Sequence, residues 1–277
     1  MRCREVFYRV MSSGKFEQLQ AAFITKDGRN IFLEGNLNCK FVEGKPAATR
    51  AIFRDVTARI MAEKALHKQQ EQTERLLLNI LPASIANRLK QEPGNIAEHF
   101  DDVTVLFADI VGFTQIATSV SATTLVNLLN QIFSVFDRLS LKYGLEKIKT
   151  IGDAYMLVGG LPIRNSNHPA SVASIAFEMQ NAIATFNKRN NLNLNIRIGM
   201  HTGSVVAGVI GLQKFTYDLW GDTVNIASRM ESHGLPGKIQ VSQQTYQRLR
   251  HKFILEKRGE ISIKGKGMMT TYLLIGK

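Results

Sequence analysis

Val103-Thr-Val-Leu-Phe-Ala-Asp109-Ile-Val-Gly112-Phe-Thr114 and Lys147-Ile-Lys-Thr-Ile-Gly152-Asp153-Ala-Tyr-Met156 are two apolar runs, each leading to an aspartate beside a turn glycine. A carboxylate at the end of a buried β-run is costly unless its charge is compensated, and a divalent cation is the usual compensation. Asp109 and Asp153 lie 44 positions apart (153 − 109), and an apolar-periodic segment over 125–143 separates them. That segment is long enough for a crossover helix, which lets the two strands be neighbours in one sheet. Gly112 and Gly152 lack a Cβ, so backbone N–H groups there can approach a phosphate. The pair reads as a site for a metal-bound polyphosphate. The plainer reading, in which each aspartate caps a turn and binds nothing, explains one such element more easily than two.

Outward from this stretch, the chain from Asp101 reads as a strand, a helix over 121–143 with Ser121 as N-cap, strands over 145–150 and 154–159, a helix over 169–188 and a strand over 194–202. This βαββαβ order is the ferredoxin-like arrangement of the α+β class. A helix over 223–231 and a last strand over 271–275 follow. The same core serves polymerase palms, diguanylate cyclases and plain binding modules, so the site must decide function. Gly159-Gly-Leu-Pro162 follows the second aspartate where a diguanylate cyclase would carry a Gly-Gly-Asp-Glu-Phe-type turn.

Four segments carry a family resemblance: Phe107-Ala-Asp-Ile-Val-Gly-Phe-Thr114, Lys147 to Met156 as quoted above, Ile196-Arg-Ile-Gly-Met-His-Thr-Gly203, and Tyr217-Asp-Leu-Trp-Gly-Asp-Thr-Val-Asn-Ile-Ala-Ser-Arg-Met-Glu231. In order and spacing they resemble the catalytic domain of class III nucleotide cyclases over residues 99–277. The resemblance implies that Asp109, Asp153 and the backbone carbonyl of Ile110 hold two Mg²⁺ or Mn²⁺ ions per site, which activate the ribose 3′-hydroxyl and neutralise the triphosphate. It implies that the backbone N–H groups of Val111, Gly112, Phe113 and Thr114 cradle the phosphates. Arg229 matches the arginine that stabilises charge on the α-phosphate, and Asn225 the asparagine that fixes the ribose; four apart on a helix, they face the same way. Lys264 matches the lysine that reaches the terminal phosphates, with Lys266 as the fallback.

Base choice, by the same resemblance, rests on Lys149 and Asp218. The adenylate-specific pattern has lysine with aspartate or threonine there, where guanylate cyclases place glutamate and typically cysteine. An amine donor suits adenine N1 and a carboxylate accepts from the N6 amino group, whereas guanine would leave both mismatched. The expected activity is that of an adenylate cyclase, with ATP as substrate and cyclic AMP and pyrophosphate as products. In the family the metal aspartates come from one subunit and the base-reading pair, asparagine and arginine from its partner, so the resemblance implies a homodimer with two interfacial sites. A guanylate cyclase, or an inactive cyclase-homology dimerisation module, is the alternative. Ser204 departs from some relatives, which place an arginine there.

Residues 1–57 alternate strand candidates with polar turns: strands over 16–25, 31–41 and 47–56, with hairpin signals at 26–30 and 43–46. They resemble the C-terminal half of a PAS sensor domain, including the closing Arg54-Asp55-Val-Thr57, and the resemblance implies a sequence that begins inside the sensor. Residues 58–98 form a helical linker. Ala62, Leu66, Gln69, Thr73, Leu76 and Ile80 recur at heptad spacing with a polar middle, the pattern of a parallel coiled coil whose weak seam lets two registers compete. Pro82 ends or kinks this helix before a short one over 84–91.

The composition is that of a globular protein, with 277 residues and 44% hydrophobic content. No apolar run approaches the about 18 residues of a membrane span, and no secretory signal opens the chain. Cys3 and Cys39 are too few for a metal cluster or disulfide framework, which suits the cytoplasm. The net charge of +12 is dispersed apart from a loose basic cluster over 248–266. With no aromatic-interleaved basic stripe, nucleic acid is not the expected partner.

Overall fold

The protein is described from a computed structural model covering residues 2–91, 96–211 and 215–277. It divides into two units, one reaching to Leu77 and the other running from Leu78 to Lys277.

The first unit comprises α1 (Arg2–Ser13), β1 (Glu17–Ile24), β2 (Asn30–Val42), β3 (Lys45–Asp55) and all but the last residue of α2 (Thr57–Leu78). The three expected strands form an antiparallel sheet in the order β1-β2-β3. Between β2 and β3, Glu43 and Gly44 both take positive φ, at 49° and 75°, the backbone that a two-residue hairpin turn requires. Helix α1 was not expected. Val6 and Val10, one helical turn apart, bury a stripe against Leu19 and Leu37. Cys39 is a free thiol at the edge of that cluster; the side chain of Cys3 lies outside the described residues. No residue of α2 is buried, and the helix ends at Leu78, so Ile80 of the expected seam falls beyond it.

The second unit opens with α3 (Ala83–Gln91), just after Pro82. Its βαββαβ core is β4 (Ala97–Val111), α5 (Ala122–Tyr143), β5 (Glu146–Ile151), β6 (Ala154–Gly159), α6 (His168–Asn190) and β7 (Asn195–Ile210), with the short α4 (Phe113–Ser119) between β4 and α5. The order β7-β4-β6-β5 within the sheet is what two crossovers, each leapfrogging one strand, produce. Ser121 caps α5 as expected, accepting from the Thr124 amide at 3.2 Å. Gly144, left-handed, ends the helix by sending the chain back with Leu145 N–H on the Ser140 carbonyl.

One expectation is corrected. The strands that carry Asp109 and precede Asp153 are not neighbours, because β6 lies between β4 and β5. A hairpin brings the second aspartate back instead: Asp153 sits in the β5–β6 turn, and Asp109 pairs in register with Ala154.

The sheet continues with β8 (Thr216–Trp220) paired to β7 and, on the far side of β7, β9 (Ile239–Ser242), β11 (Gly267–Gly276) and β10 (Ile254–Ile263); α7 (Asp222–Ser232) and α8 (Gln243–Leu249) lie between these strands in sequence. Strand alternation sorts the faces. Leu106, Ala108 and Ile110 of β4, with Ile196, Ile198 and Met200 of β7, join the core formed with α5 and α6. Asp109, Arg197 and Gly199 point the opposite way, toward α7. Gly199 is required there: a Cβ would stand 1.9 Å from the Glu231 backbone nitrogen, so α7 seats directly on the strand. Among the described residues no helix is long and apolar enough to cross a membrane.

Candidate functional site

The side chains singled out in the sequence gather in three places. Asp109, at the C-terminal end of β4, and Asp153, in the hairpin turn that Gly152 makes at φ 62°, form the first. Burial raises the proton affinity of Asp153, and the neighbouring Asp109 charge and hydrogen bond raise it further. Two carboxylates crowded at the rim of a sheet are an arrangement that a cation relieves.

Two residues that sequence reasoning missed complete this cluster. Arg197 lies across the ladder from Asp109, and its Nη2 donates to Asp109 Oδ2 at 2.9 Å. Its Nε donates to Glu231 Oε1 at 3.1 Å. Glu231 is buried on α7, and burial pushes its carboxyl up to about 7, with repulsion from Asp109 adding and Arg197 opposing. The signal was present: Arg197 interrupts an apolar run, Ile196-Arg-Ile198, on a strand both of whose faces are covered. Its partners could not be read, because they lie 88 and 34 positions away.

Ile110 has its side chain in the core, so only its backbone is available to the site. Gly112 is left-handed, with φ 75° and ψ 15°, at the start of α4. Val111 to Thr114 thus run into a helix start, where the first amides have no intrahelical acceptor.

The second place joins Lys149 of β5 to Asp218 of β8 in an ion pair. Asp218 is the more buried partner, and its Oδ1 accepts from the Leu219 amide at 2.9 Å. The expected base-reading residues, 69 positions apart, are therefore neighbours within one chain.

The third is an open cavity of about 500 Å³ lined by Asn225, Arg229, Lys264, Asp222 and Lys266, among others. Asn225 and Arg229 project from one face of α7, as their spacing required. Lys266 is tied to Asp222 at 2.7 Å, while among the described residues no carboxylate pairs with Lys264. That favours Lys264 over Lys266 as the group free to meet an anion. Ser204 is exposed, and its backbone carbonyl accepts from Thr223 Oγ1 at 2.6 Å. The aspartates do not line this cavity.

A ferredoxin-like sheet with paired carboxylates at one strand end, and a separate asparagine, arginine and lysine around a cavity, defines an α+β domain equipped for polyanion chemistry. The chain belongs to the family of adenylate and guanylate cyclase catalytic domains, which matches residues 96–276. It is 47% identical over 217 residues to an adenylate cyclase of Mycobacterium tuberculosis, covering 78% of this chain and 49% of that protein. It is 46% identical over 209 residues to the guanylate cyclase soluble subunit beta-2 of Rattus norvegicus, covering 75% of this chain and 31% of that protein. The chain thus spans about half the length of the mycobacterial relative. Among solved structures, it resembles the catalytic core of a rhodopsin-guanylyl cyclase with converted specificity in complex with ATPαS, at 39% identity and a TM-score of 0.63, over 65% of this chain and 98% of that one.

Proposed function

We propose that this protein is an adenylate cyclase that converts ATP to 3′,5′-cyclic AMP and pyrophosphate at the interface of a homodimer. The observation that carries the reading is the Lys149–Asp218 pair: an ammonium and a carboxylate, held side by side, complement adenine N1 and N6. Guanine would leave both mismatched, at a cost of about 1 to 3 kcal/mol for each unpaired buried group.

The donor set fits Mg²⁺ or Mn²⁺. Among the described residues no cluster of three or more His, Cys, Asp or Glu side chains is arranged to cage a metal. Such an ion usually needs only one or two carboxylates, the remaining positions going to phosphate oxygens and water. Asp109, Asp153 and the Ile110 carbonyl are hard oxygen donors of that kind. Two ions held there would acidify the ribose 3′-hydroxyl and neutralise the departing pyrophosphate.

The chain's own groups do the rest. Asn225 fixes the ribose, Arg229 meets charge developing on the α-phosphate, Lys264 takes the terminal phosphates, and the amides from Val111 to Thr114 hold the triphosphate without reorganising. The aspartates of one protomer and the Asn225–Arg229–Lys264 cavity of its partner make each site, so a head-to-tail dimer has two. Helix α2, exposed along its length, is the dimerising coiled coil, and the sheet of the first unit is the PAS-derived input. No member of the set Asp109, Asp153, Asn225 and Arg229 is lost, which opposes an inactive homology module.

The test is product formation by the full chain from ATP and from GTP in parallel, each with Mg²⁺ and with Mn²⁺, the nucleotides resolved by chromatography. Cyclic AMP from ATP alone is the expected result. Cyclic GMP as the main product would overturn the base assignment, and no product from a verified dimer would overturn the activity.

A further inference from the structure

Arg197 presents a puzzle of sign. A guanidinium placed on a carboxylate that is to hold a divalent cation repels that cation, and the donation to Asp109 Oδ2 at 2.9 Å occupies one of the carboxylate's oxygens. Left to charge alone, Arg197 would be a competitor for the site.

The geometry points to a different role: we infer that Arg197, anchored by Glu231, is a positioning residue that fixes the rotation of the Asp109 carboxylate, reserving Oδ1 for a divalent cation shared with Asp153. The inference rests on the cyclase reading above. Three observations support it.

First, Arg197 is held at both ends of its fork. Its Nη2 lies 2.9 Å from Asp109 and 3.1 Å from Glu231, while Nε also donates to Glu231. A guanidinium restrained this way cannot swing aside, so it acts as a planar template. Second, Glu231 is rooted in a rigid place. It is 8% exposed, on the part of α7 whose backbone rests against Gly199. Burying a carboxylate there is costly, and Arg197 is the partner that offsets it. Third, Arg197 and Asp109 are directly opposed in the β4–β7 register, so the backbone ladder sets their separation before either side chain is placed. Supports of this kind, one bond removed from the ligating oxygen, orient first ligands and tune cation affinity.

The competitor and positioning roles predict opposite signs for the same substitution. The experiment is titration of the full chain with Mn²⁺ in the presence of 3′-deoxy-ATP, which has no 3′-hydroxyl to cyclise, with free Mn²⁺ read by electron paramagnetic resonance. Arg197→Gln removes a positive charge. Positioning predicts that Mn²⁺ binding weakens about 10- to 100-fold; competition predicts that it tightens. Arg197→Lys keeps the charge and loses the fork, so positioning predicts weaker binding and a purely electrostatic role predicts the wild-type affinity. The lysine variant also decides the matter should the glutamine variant not fold. Thermal unfolding without metal, run alongside, separates a bracing role, which moves the midpoint and leaves Mn²⁺ affinity alone. Tighter or unchanged Mn²⁺ binding in the variants overturns the inference. A wild-type chain that takes up neither Mn²⁺ nor nucleotide overturns the cyclase reading instead.

Discussion

Gly199→Ala is the sharpest test of how the fold sets the site. A methyl group at that position would stand 1.9 Å from the Glu231 nitrogen, 2.4 Å from the Met230 carbonyl carbon and 2.5 Å from the Glu231 Cα. All three are backbone atoms, so no side-chain rotation relieves the clash. Restoring ordinary contact at 3.4 Å requires α7 to move by about 1.5 Å, since helix and strand are each held by their own hydrogen bonds. Overpacking of this kind costs about 1–3 kcal/mol, which lowers the unfolding midpoint by a few degrees and leaves the chain folded. The functional effect is larger than the stability effect, because α7 carries Asn225 and Arg229, and a displacement of about 1 Å can cost roughly 100-fold in rate. Calorimetry and steady-state turnover of ATP on the same preparation measure the two. Gly203→Ala is the milder comparison: the nearest atom its Cβ would meet is the Thr223 hydroxyl, at 2.6 Å, so the clash displaces one side-chain hydrogen bond to the Ser204 carbonyl rather than helix backbone, and the loss of rate is smaller. An alanine at 199 with wild-type turnover would refute the claim that the glycine seats the helix for function.

The remaining predictions concern the aspartates, the base pair and a buried histidine. Asp109→Ala and Arg229→Ala are each expected to abolish turnover, and mixing the two chains restores part of it through one intact interfacial site; mixed preparations that stay silent despite verified exchange of subunits count against shared sites. Lys149→Glu with Asp218→Cys is expected to shift product from cyclic AMP toward cyclic GMP, and a double variant that still ignores GTP shows the base is read elsewhere. His201, 5% exposed, is held down to about 4 by burial. Its folded value lies below the ordinary 6.5, so the penalty for protonating it is absent above about pH 6.5 and grows as pH falls toward 4. Urea titrations of wild type at pH 7 and pH 5 should differ by about 2 kcal/mol from this group, and His201→Gln should remove that share; an unchanged difference in the variant locates the acid sensitivity elsewhere.

Local pattern made most of the core legible. The apolar run over 103–111 and the Ser121 cap define the second half of β4 and the start of α5 without reference to any other part of the chain, though the strand itself begins earlier, at Ala97. What stayed hidden depends on register or on packing at a distance. Strand β7 was expected to stop near Thr202, yet it runs on to Ile210, because pairing with β8 sustains it past the glycines that look like breaks. Strand β9 is four residues long and exists only because β7 and β11 flank it. Helix α1 was not legible, because its two valines mean little until Leu19 and Leu37 supply a surface. The site divides along the same line. Asp109 and Asp153 declared themselves as carboxylates at the ends of apolar runs, whereas Asn225 and Arg229 rested on family resemblance, their spacing adding only that they share one face of a helix. Lys149 and Asp218 had only family resemblance to join them, since nothing local links positions 69 apart. Arg197 and Glu231 had neither.

Strand β7 links these separate clusters. Its face toward α7 carries Arg197, Gly199 and Gly203, and each sets a different relation. By the inference above Arg197 orients Asp109, Gly199 sets the depth of the helix that carries Asn225 and Arg229, and Gly203 lets that helix begin beside Thr223. Asp109 and Asp153 nevertheless do not line the cavity that holds Asn225 and Arg229. Under the proposed cyclase reading, a strand that holds two half-sites in fixed relation while keeping them apart would need a second copy to supply the complement to each. In the two-fold dimer proposed above, the same rigidity would align both sites at once. Loosening β7 is therefore expected to degrade both together, and a variant that spoils one half-site is expected to leave the other available to a partner.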